Sequence, residues 1–484
     1  MSGRFAPTLL RNKVLPHQVT SPYQIKAHKN MNWNNLLSPK RLSNDGTLIS
    51  KDEEKERSTF HRDWDRILFS TAFRRMHDKT QVFPLPEDDV VHSRLTHSLE
   101  AASVGRSLGM AVGTKVRERE NLDARIPYDI GTIVATACLA HDIGNPPFGH
   151  SGESAIATFF TDGEGQTLLN QLTGKERADL TQFEGNAQGF RLLTRLQLES
   201  DGGLQLTAAT LATFTKYPRE SHPDGSLPVD SKSTRADLKK HGFHQSERDL
   251  FRRIAEEVGL KKQPCAPDGY AWARHPLAFL VEAADDICYS ILDIEDGVRL
   301  GYVDARDAEA VLRPVAERVP TFKIGPARND DVRSRIGYLR ALAIGQFSRE
   351  CIGAFLDNEA QILDGTFSHS LSKIILSKDD LETLQTLARK KCYNAASVLE
   401  IELAGYEAIG GLLSAFANSA LADEPSKREK KLIALMTQRA GMKPAHSKYE
   451  KILRVTDYVS GMTDRYALSL FRRIHGISVP GRAL

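Results

Sequence analysis

Residues 138–153 read CLAHDIGNPPFGHSGE. An almost wholly apolar helical run, Ile130 to Ala140, leads into adjacent His141 and Asp142. A helix apolar on every side belongs inside a core rather than on its surface. Gly144, Asn145, Pro146 and Pro147 then break it, and a second helix is expected near His150, with Glu153 one turn on. Imidazole and carboxylate side by side at a helix end are two metal-ligand chemistries. His150 and Glu153 at i,i+3 are an acid/base pair on one helical face.

Outward from this stretch the periodicity stays helical. Phe60, Trp64, Ile67, Leu68, Ala72 and Phe73 predict a helix within residues 51–76, ending at Arg74 and Arg75. Those arginines either bridge locally to carboxylates or face an anion. Lys79 to Leu85, KTQVFPL, is short and β-like, suited to a hairpin or to presenting the Gln81 amide in a pocket. Leu95, Leu99, Ala102 and Leu108 predict a buried helix that carries His97, with Arg94 beside it. Residues 161–187 are polar and glycine-containing, so an insertion or lid-like loop is expected there, with a helix starting near Ala187. Residues 204–217 form a further helix that stops before Pro218, and SHPDGSLPVDSKSTRAD (221–237) reads as a mobile loop. An amphipathic helix covers residues 244–259. Pro276 opens another, with a wide apolar face of Leu277, Leu280, Val281, Ala284, Ile287 and Ile291. Asp285 and Asp286 interrupt that face, and Tyr289 and Asp293 follow Asp285 on the same side at four and eight residues. Successive amphipathic helices cover 303–415, and two more flank Gly461. The expected fold is all-α, one large core with peripheral helical lobes and an extended N-terminal arm.

With 484 residues, 40% of them hydrophobic, the chain has ample material for such a core. A net charge of +3 is too small to indicate nucleic-acid binding by itself. Five cysteines, at 138, 265, 288, 351 and 392, make no zinc-finger spacing and suit a reducing cytoplasm. No apolar stretch approaches the roughly 18 residues of a membrane helix, and the N-terminus lacks a signal-peptide pattern. A cytoplasmic protein is expected.

Because soft ligands are absent, a metal site here requires imidazole nitrogen and carboxylate oxygen. His97, His141, Asp142 and Asp285 can supply them from three helices. A carboxylate on an apolar face, as at Asp285, is costly to bury uncompensated, and a cation is one compensation. Each residue alone has a plainer reading. A lone histidine more often packs than ligates, a second His-Asp pair (His77–Asp78) reads as surface, and Asp285 or Asp286 alone would be a helix-surface charge. Two histidines and two aspartates leave coordination positions for water and a phosphate oxygen. No GxxxxGK[ST] loop is present, so phosphate charge would fall to side chains such as Lys216, Tyr217 and Tyr289.

The segments AFRRM, KTQVFPL, RLTHSLE, CLAHDIGNPPFGHSGE, FEGNAQGFR, TKYP, EAADDICYSILDIEDG and DYVSGMTDRYA together resemble the deoxyguanosinetriphosphate triphosphohydrolase (dGTPase) branch of the HD-domain superfamily. The resemblance extends over residues 55–475. It implies a helical HD core holding a divalent metal through His97, His141, Asp142 and Asp285, with Asp286 behind them. Mg²⁺ or Mn²⁺ fits the phosphate chemistry, and Ni²⁺, Co²⁺ or Fe²⁺ also suits such ligands. It further implies that His150 and Glu153 are the catalytic pair. The reaction would open the bond between the 5′-oxygen and α-phosphorus of a dNTP, releasing a deoxynucleoside and tripolyphosphate. Gln81, Tyr289 and Asp293 would read base and sugar, and Asn186 and Lys216, with Tyr217 beside it, would face phosphate. Arg465 would reach a neighbouring subunit's nucleotide. The corresponding organisation is an N-terminal arm over 1–54, a catalytic core with loop insertions over 55–300 and a helical region over 301–484 that completes the pocket and oligomer contacts. Members form multimers, usually hexamers, and some bind a dNTP activator or single-stranded DNA. The alternatives are an HD phosphohydrolase of another nucleotide and a nucleotide- or single-stranded-DNA-binding scaffold with a vestigial metal site.

Overall fold

The computed structural model describes residues 30–50, 57–83, 90–198, 203–222, 240–265, 268–325, 331–440, 445 and 447–477. Most of the expected arm, the segment 84–89 and most of the expected mobile loop (223–237) lie outside the described residues. The chain opens with α1 (Trp33–Leu36) and a small antiparallel hairpin, β1 (Arg41–Leu42) with β2 (Leu48–Ile49). Then come α2 (Thr59–Leu68), α3 (Thr71–Arg75), α4 (Arg94–Glu120), α5 (Ile126–Ala140) and α6 (Gly149–Thr161). Next are α7 (Gly174–Thr181), α8 (Gly185–Arg191), α9 (Ala208–Phe214), α10 (Arg248–Glu257) and α11 (Ala278–Arg299). The remainder is α12 (Ala305–Glu317), α13 (Val332–Asp357), α14 (Glu359–Asp364), α15 (Lys378–Ala388), α16 (Ala396–Leu421), α17 (Lys427–Ala440), α18 (Lys448–Ser460) and α19 (Asp464–Ile474). The fold is all-α.

Polar caps explain where several helices start. Ser58, Ser70, Ser93 and Thr463 accept backbone N–H groups at the starts of α2, α3, α4 and α19, and Thr96 completes a capping box with Ser93. The helix expected within 51–76 is therefore two helices, re-capped at Ser70. Arg74 and Arg75 end that run, and each donates to a backbone carbonyl, of Phe69 and Gly461 respectively.

The central pair is α4 against α5. Its close approach comes from small residues. A Cβ on Gly105 would meet Cys138 Sγ at 2.6 Å, one on Gly109 the Gly131 Cα at 2.9 Å, and one on Gly113 the Pro127 Cα at 2.8 Å. Helix α11 packs across both, so the end of α5, the start of α4 and the middle of α11 share one side of the core. The apolar side chains form two clusters rather than one. The first runs from Met31 to Val398 around α4, α5, α9, α11 and α13. The second joins α6 and α7 to α16, α18 and α19.

The second cluster corrects the expectation for residues 161–187. They are no lid-like loop: Leu169, Leu172, Leu180 and Phe183 are buried, and α7 lies within the stretch. Their apolar residues are too dispersed to show a local period, and the surface that buries them combines α6 with helices more than 200 residues later.

The turn between α5 and α6 is fixed from two sides, by α19 and by α8. Phe148 adopts a left-handed conformation, φ 61°, uncommon for a residue with a side chain, and Asp464 Oδ1 accepts its N–H at 3.0 Å. A Cβ on Gly144 would press into the Gly185 carbonyl and the Gly189 amide, both backbone atoms that cannot rotate away. Gly144→Ala should therefore lower unfolding free energy by about 3 kcal/mol in urea titration. A loss below about 1 kcal/mol would mean that the turn and α8 pack independently.

Candidate metal centre and nucleotide pocket

Helix α5 ends at His141, whose Nδ1 donates to the Cys138 carbonyl at 2.7 Å. That bond leaves Nε2 with its lone pair aimed at carboxylates, 3.4 Å from Asp285 Oδ1 and 3.6 Å from Asp142 Oδ1. From α4, buried His97 brings its own Nε2 to 3.1 Å from the same Asp285 oxygen. One ligand atom each of His97, His141 and Asp142 lies within 4.8 Å of the others. Lone pairs gathered this closely are held together only by a proton or a cation shared among them. Burial would lower the His141 pKa, but Asp142 and Asp285 outweigh it and raise it to about 9. Burial likewise opposes ionisation of both aspartates, yet Arg94 and His141 bring Asp142 down to about 2, and His141 and His97 hold Asp285 well below its usual range. Two imidazole nitrogens and two carboxylates are a fitting donor set for a divalent ion.

Arg94 organises the near side. Its Nη1 donates to Asp142 Oδ2 at 2.5 Å, while Asn145 Nδ2 donates to Asp142 Oδ1 at 2.6 Å. The guanidinium also reaches the first residue of α6, where a Cβ on Gly149 would meet Nη2 at 2.5 Å. The next residue is His150, whose side chain is 80% exposed and whose Nδ1 lies 2.9 Å from Glu153 Oε2. Glu153 is buried and accepts the Gly185 N–H on its other oxygen at 2.7 Å. Burial would raise its pKa, but Lys240, His150 and Gly185 bring it to about 2. Reciprocally, Glu153 raises the pKa of His150. Lys240 donates to Glu184 Oε1 at 2.9 Å and lies 3.8 Å from Glu153 Oε2. Lys240 follows Lys239 in the sequence, and nothing near it signals a role beside Glu153. Asn186 bonds Glu184 through Nδ2 at 2.6 Å, next to the glycine that holds Glu153.

Helix α11 carries a polar stripe away from the centre. One turn before Asp285, Glu282 takes Lys216 Nζ at 3.3 Å and Arg274 Nη1 at 2.8 Å, and Tyr217 lies buried under the Arg274 guanidinium. Asp286, pushed up to about 7 by burial and Glu282, accepts the Ser372 hydroxyl. The Tyr289 hydroxyl accepts Gln385 Nε2 at 2.8 Å, and Asp293, pushed up to about 7 by burial, accepts the Tyr393 hydroxyl. Gln385, Tyr393, Ser372 and Arg274 come from elsewhere in the chain and carry no sequence signal for this stripe. Gln81 is half-buried beside the Thr80–Ser93 bridge, with Oε1 unbonded among the described residues. Arg465 is not drawn to the centre: it is exposed and donates to Asp78 Oδ1 at 2.9 Å. Two clefts elsewhere, one lined by Phe159, Glu407 and Phe471 and one by Arg75, Arg439 and Tyr466, contain none of these groups.

A helical core with histidine, adjacent His-Asp and a distant aspartate converging at one point defines an HD-domain hydrolase. Residues 94–181 match the HD domain, and residues 377–473 match the phosphohydrolase-associated domain. A deoxyguanosinetriphosphate triphosphohydrolase-like protein of Synechocystis sp. is 44% identical over 457 residues, covering 93% of this chain and all of the relative. A protein of the same description from Pseudomonas aeruginosa is 40% identical over 462 residues, with 93% of this chain covered. The deoxyguanosinetriphosphate triphosphohydrolase of Yersinia enterocolitica is 30% identical over 497 residues, covering 88% of this chain and 95% of the relative. The chain belongs to the deoxyguanosinetriphosphate triphosphohydrolase-like family of HD-domain proteins. No helix among the described residues is long and apolar enough to cross a membrane.

Proposed function

We propose that the chain is a metal-dependent dNTP triphosphohydrolase that converts dGTP and water to deoxyguanosine and tripolyphosphate. The observation that carries this reading is the convergence of His97, His141, Asp142 and Asp285 beside the His150–Glu153 pair. Those four residues would hold the divalent ion, Mg²⁺ or Mn²⁺ before Ni²⁺, Co²⁺ or Fe²⁺. Bound there, it supplies positive charge to an α-phosphate oxygen and acidity to a water.

The chain's own groups do the rest. Arg94 fixes Asp142 and extends its guanidinium towards the α6 start, where it offsets phosphate charge. Glu153, immobilised by Gly185, keeps a proton on His150 Nδ1. A histidine whose pKa is raised is suited to donate, so His150 protonates the departing 5′-oxygen as its bond to phosphorus breaks. Lys216 and Asn186 face the triphosphate, with Tyr217 beside Lys216. Gln81, Tyr289 and Asp293 take base and sugar, and Arg465 serves a nucleotide at a subunit boundary. The preference for dGTP rests on the relatives' names.

The test is a panel of dNTPs and NTPs with each divalent metal, products resolved by chromatography. Tripolyphosphate and deoxynucleoside, fastest from dGTP, are expected. Pyrophosphate or orthophosphate as the product, or no dNTP cleaved with any metal, overturns the reading.

A further inference from the structure

Away from the HD centre, a second polar cluster is buried where α7, residues 241–245 and α18 meet. Asp179 and His244 are fully buried and His241 is 1% exposed. A carboxylate oxygen and one nitrogen from each ring lie within 4.8 Å of one another. The two rings stand 5.8 Å apart at 63°. Among the described residues, His241 Nε2 and both nitrogens of His244 make no hydrogen bond. Most buried polar atoms in native interiors are paired, and here three unpaired nitrogens gather in one cluster with a carboxylate.

Asp179 itself is firmly oriented. Ser221 Oγ donates to Oδ1 at 2.7 Å, the Gln245 N–H donates to Oδ2 at 2.7 Å, and the Tyr449 hydroxyl also donates to Oδ2. His244 Nδ1 lies 4.0 Å from Oδ1, too far for a hydrogen bond. Two ligands of one tetrahedral zinc ion lie about 3.3–3.6 Å apart, so a shift of a few tenths of an ångström brings this pair to that spacing. Burial, with Arg191 adding to it, holds His244 neutral, down to about 3; burial with His244, Arg219 and Lys240 does the same for His241. Neutral imidazole is the form that ligates metal. The hydrogen bonds to Asp179 are those expected of groups that orient a ligating carboxylate.

We infer that Asp179, His241 and His244 form a second metal site, for a zinc-class divalent ion, separate from the HD centre. Its role is structural. It ties α7 to the 241–245 segment beside α18, and so fixes the adjoining Lys240 against Glu153 and Glu184. The site stands or falls independently of which nucleotide the HD centre cleaves.

The experiment is zinc stoichiometry by elemental mass spectrometry on the full chain, loaded with zinc chloride and gel-filtered. Wild type should hold two equivalents, and Asp142→Ala one. The double variant His241→Phe/His244→Phe should hold one. Cobalt-loaded Asp142→Ala should show the visible absorption of a tetrahedral nitrogen/oxygen site. One equivalent in wild type that vanishes in folded Asp142→Ala overturns the inference. Should the double variant not fold, anomalous diffraction at the zinc edge decides on wild type. A peak between Asp179 and His244 supports the site, and a peak at the HD centre alone overturns it.

Discussion

Asp142→Ala should fold, lose the HD-centre metal and lose dGTP turnover by about 1,000-fold or more, equivalent to about 4 kcal/mol of transition-state stabilisation. Two effects combine. The centre loses a carboxylate held ionised by Arg94 and His141, and Arg94 loses the partner that fixes it. Asp142→Asn separates them, because the amide keeps the side chain's shape while removing its charge. Circular dichroism and metal content must accompany the rates. Full activity from a folded protein lacking the HD-centre metal would end the metal role. The same centre sets a pH dependence. Without metal His141 titrates at about 9, so below that pH a cation must displace its proton. Metal affinity should weaken by up to about tenfold per pH unit on acidification from pH 8 to 7, as equilibrium dialysis would show.

How much of this was legible depends on whether a residue's partner is near it in sequence. Helix α5 announced itself because it is apolar on every side, and the turn after it because glycine and two prolines cannot continue a helix. His141 beside Asp142, and His150 one turn from Glu153, are local spacings. The approach of α4 was not legible. Its glycines at 105, 109 and 113 weaken any apolar pattern, yet they let the helix lie against α5. Periodicity identifies faces but not which faces meet. Asp285 could be singled out as an odd carboxylate, but its distance from His97 and His141 required the packing of α11 across α4 and α5, or a family resemblance. Lys240, Gln385 and Tyr393 had neither. Asp179 lay in a stretch expected to be loop, His244 at the start of an expected amphipathic helix and His241 just before it, with nothing local to join the histidines to Asp179.

His150→Ala should keep its metal and its fold while kcat falls about 100- to 10,000-fold. The ring is largely exposed and, among the described residues, hydrogen-bonds Glu153 alone, so stability should change by no more than about 0.5 kcal/mol. Proton donation makes a sharper demand than loss of rate. Protonated His150 is the active form, so activity falls as pH rises through its pKa. Glu153 raises that pKa, chiefly by hydrogen bonding to the ring. Glu153→Gln keeps an acceptor for the Gly185 N–H but removes the charge, so the alkaline limb of kcat should move to lower pH. Lys240→Met should move it the other way, because Lys240 disfavours the imidazolium. If His150 instead removed a proton from water, activity would rise with pH through the same pKa, and Glu153→Gln would extend activity into acid. Opposite slopes thus separate donor from acceptor, and wild-type kcat in metal-loaded His150→Ala would remove the residue from catalysis.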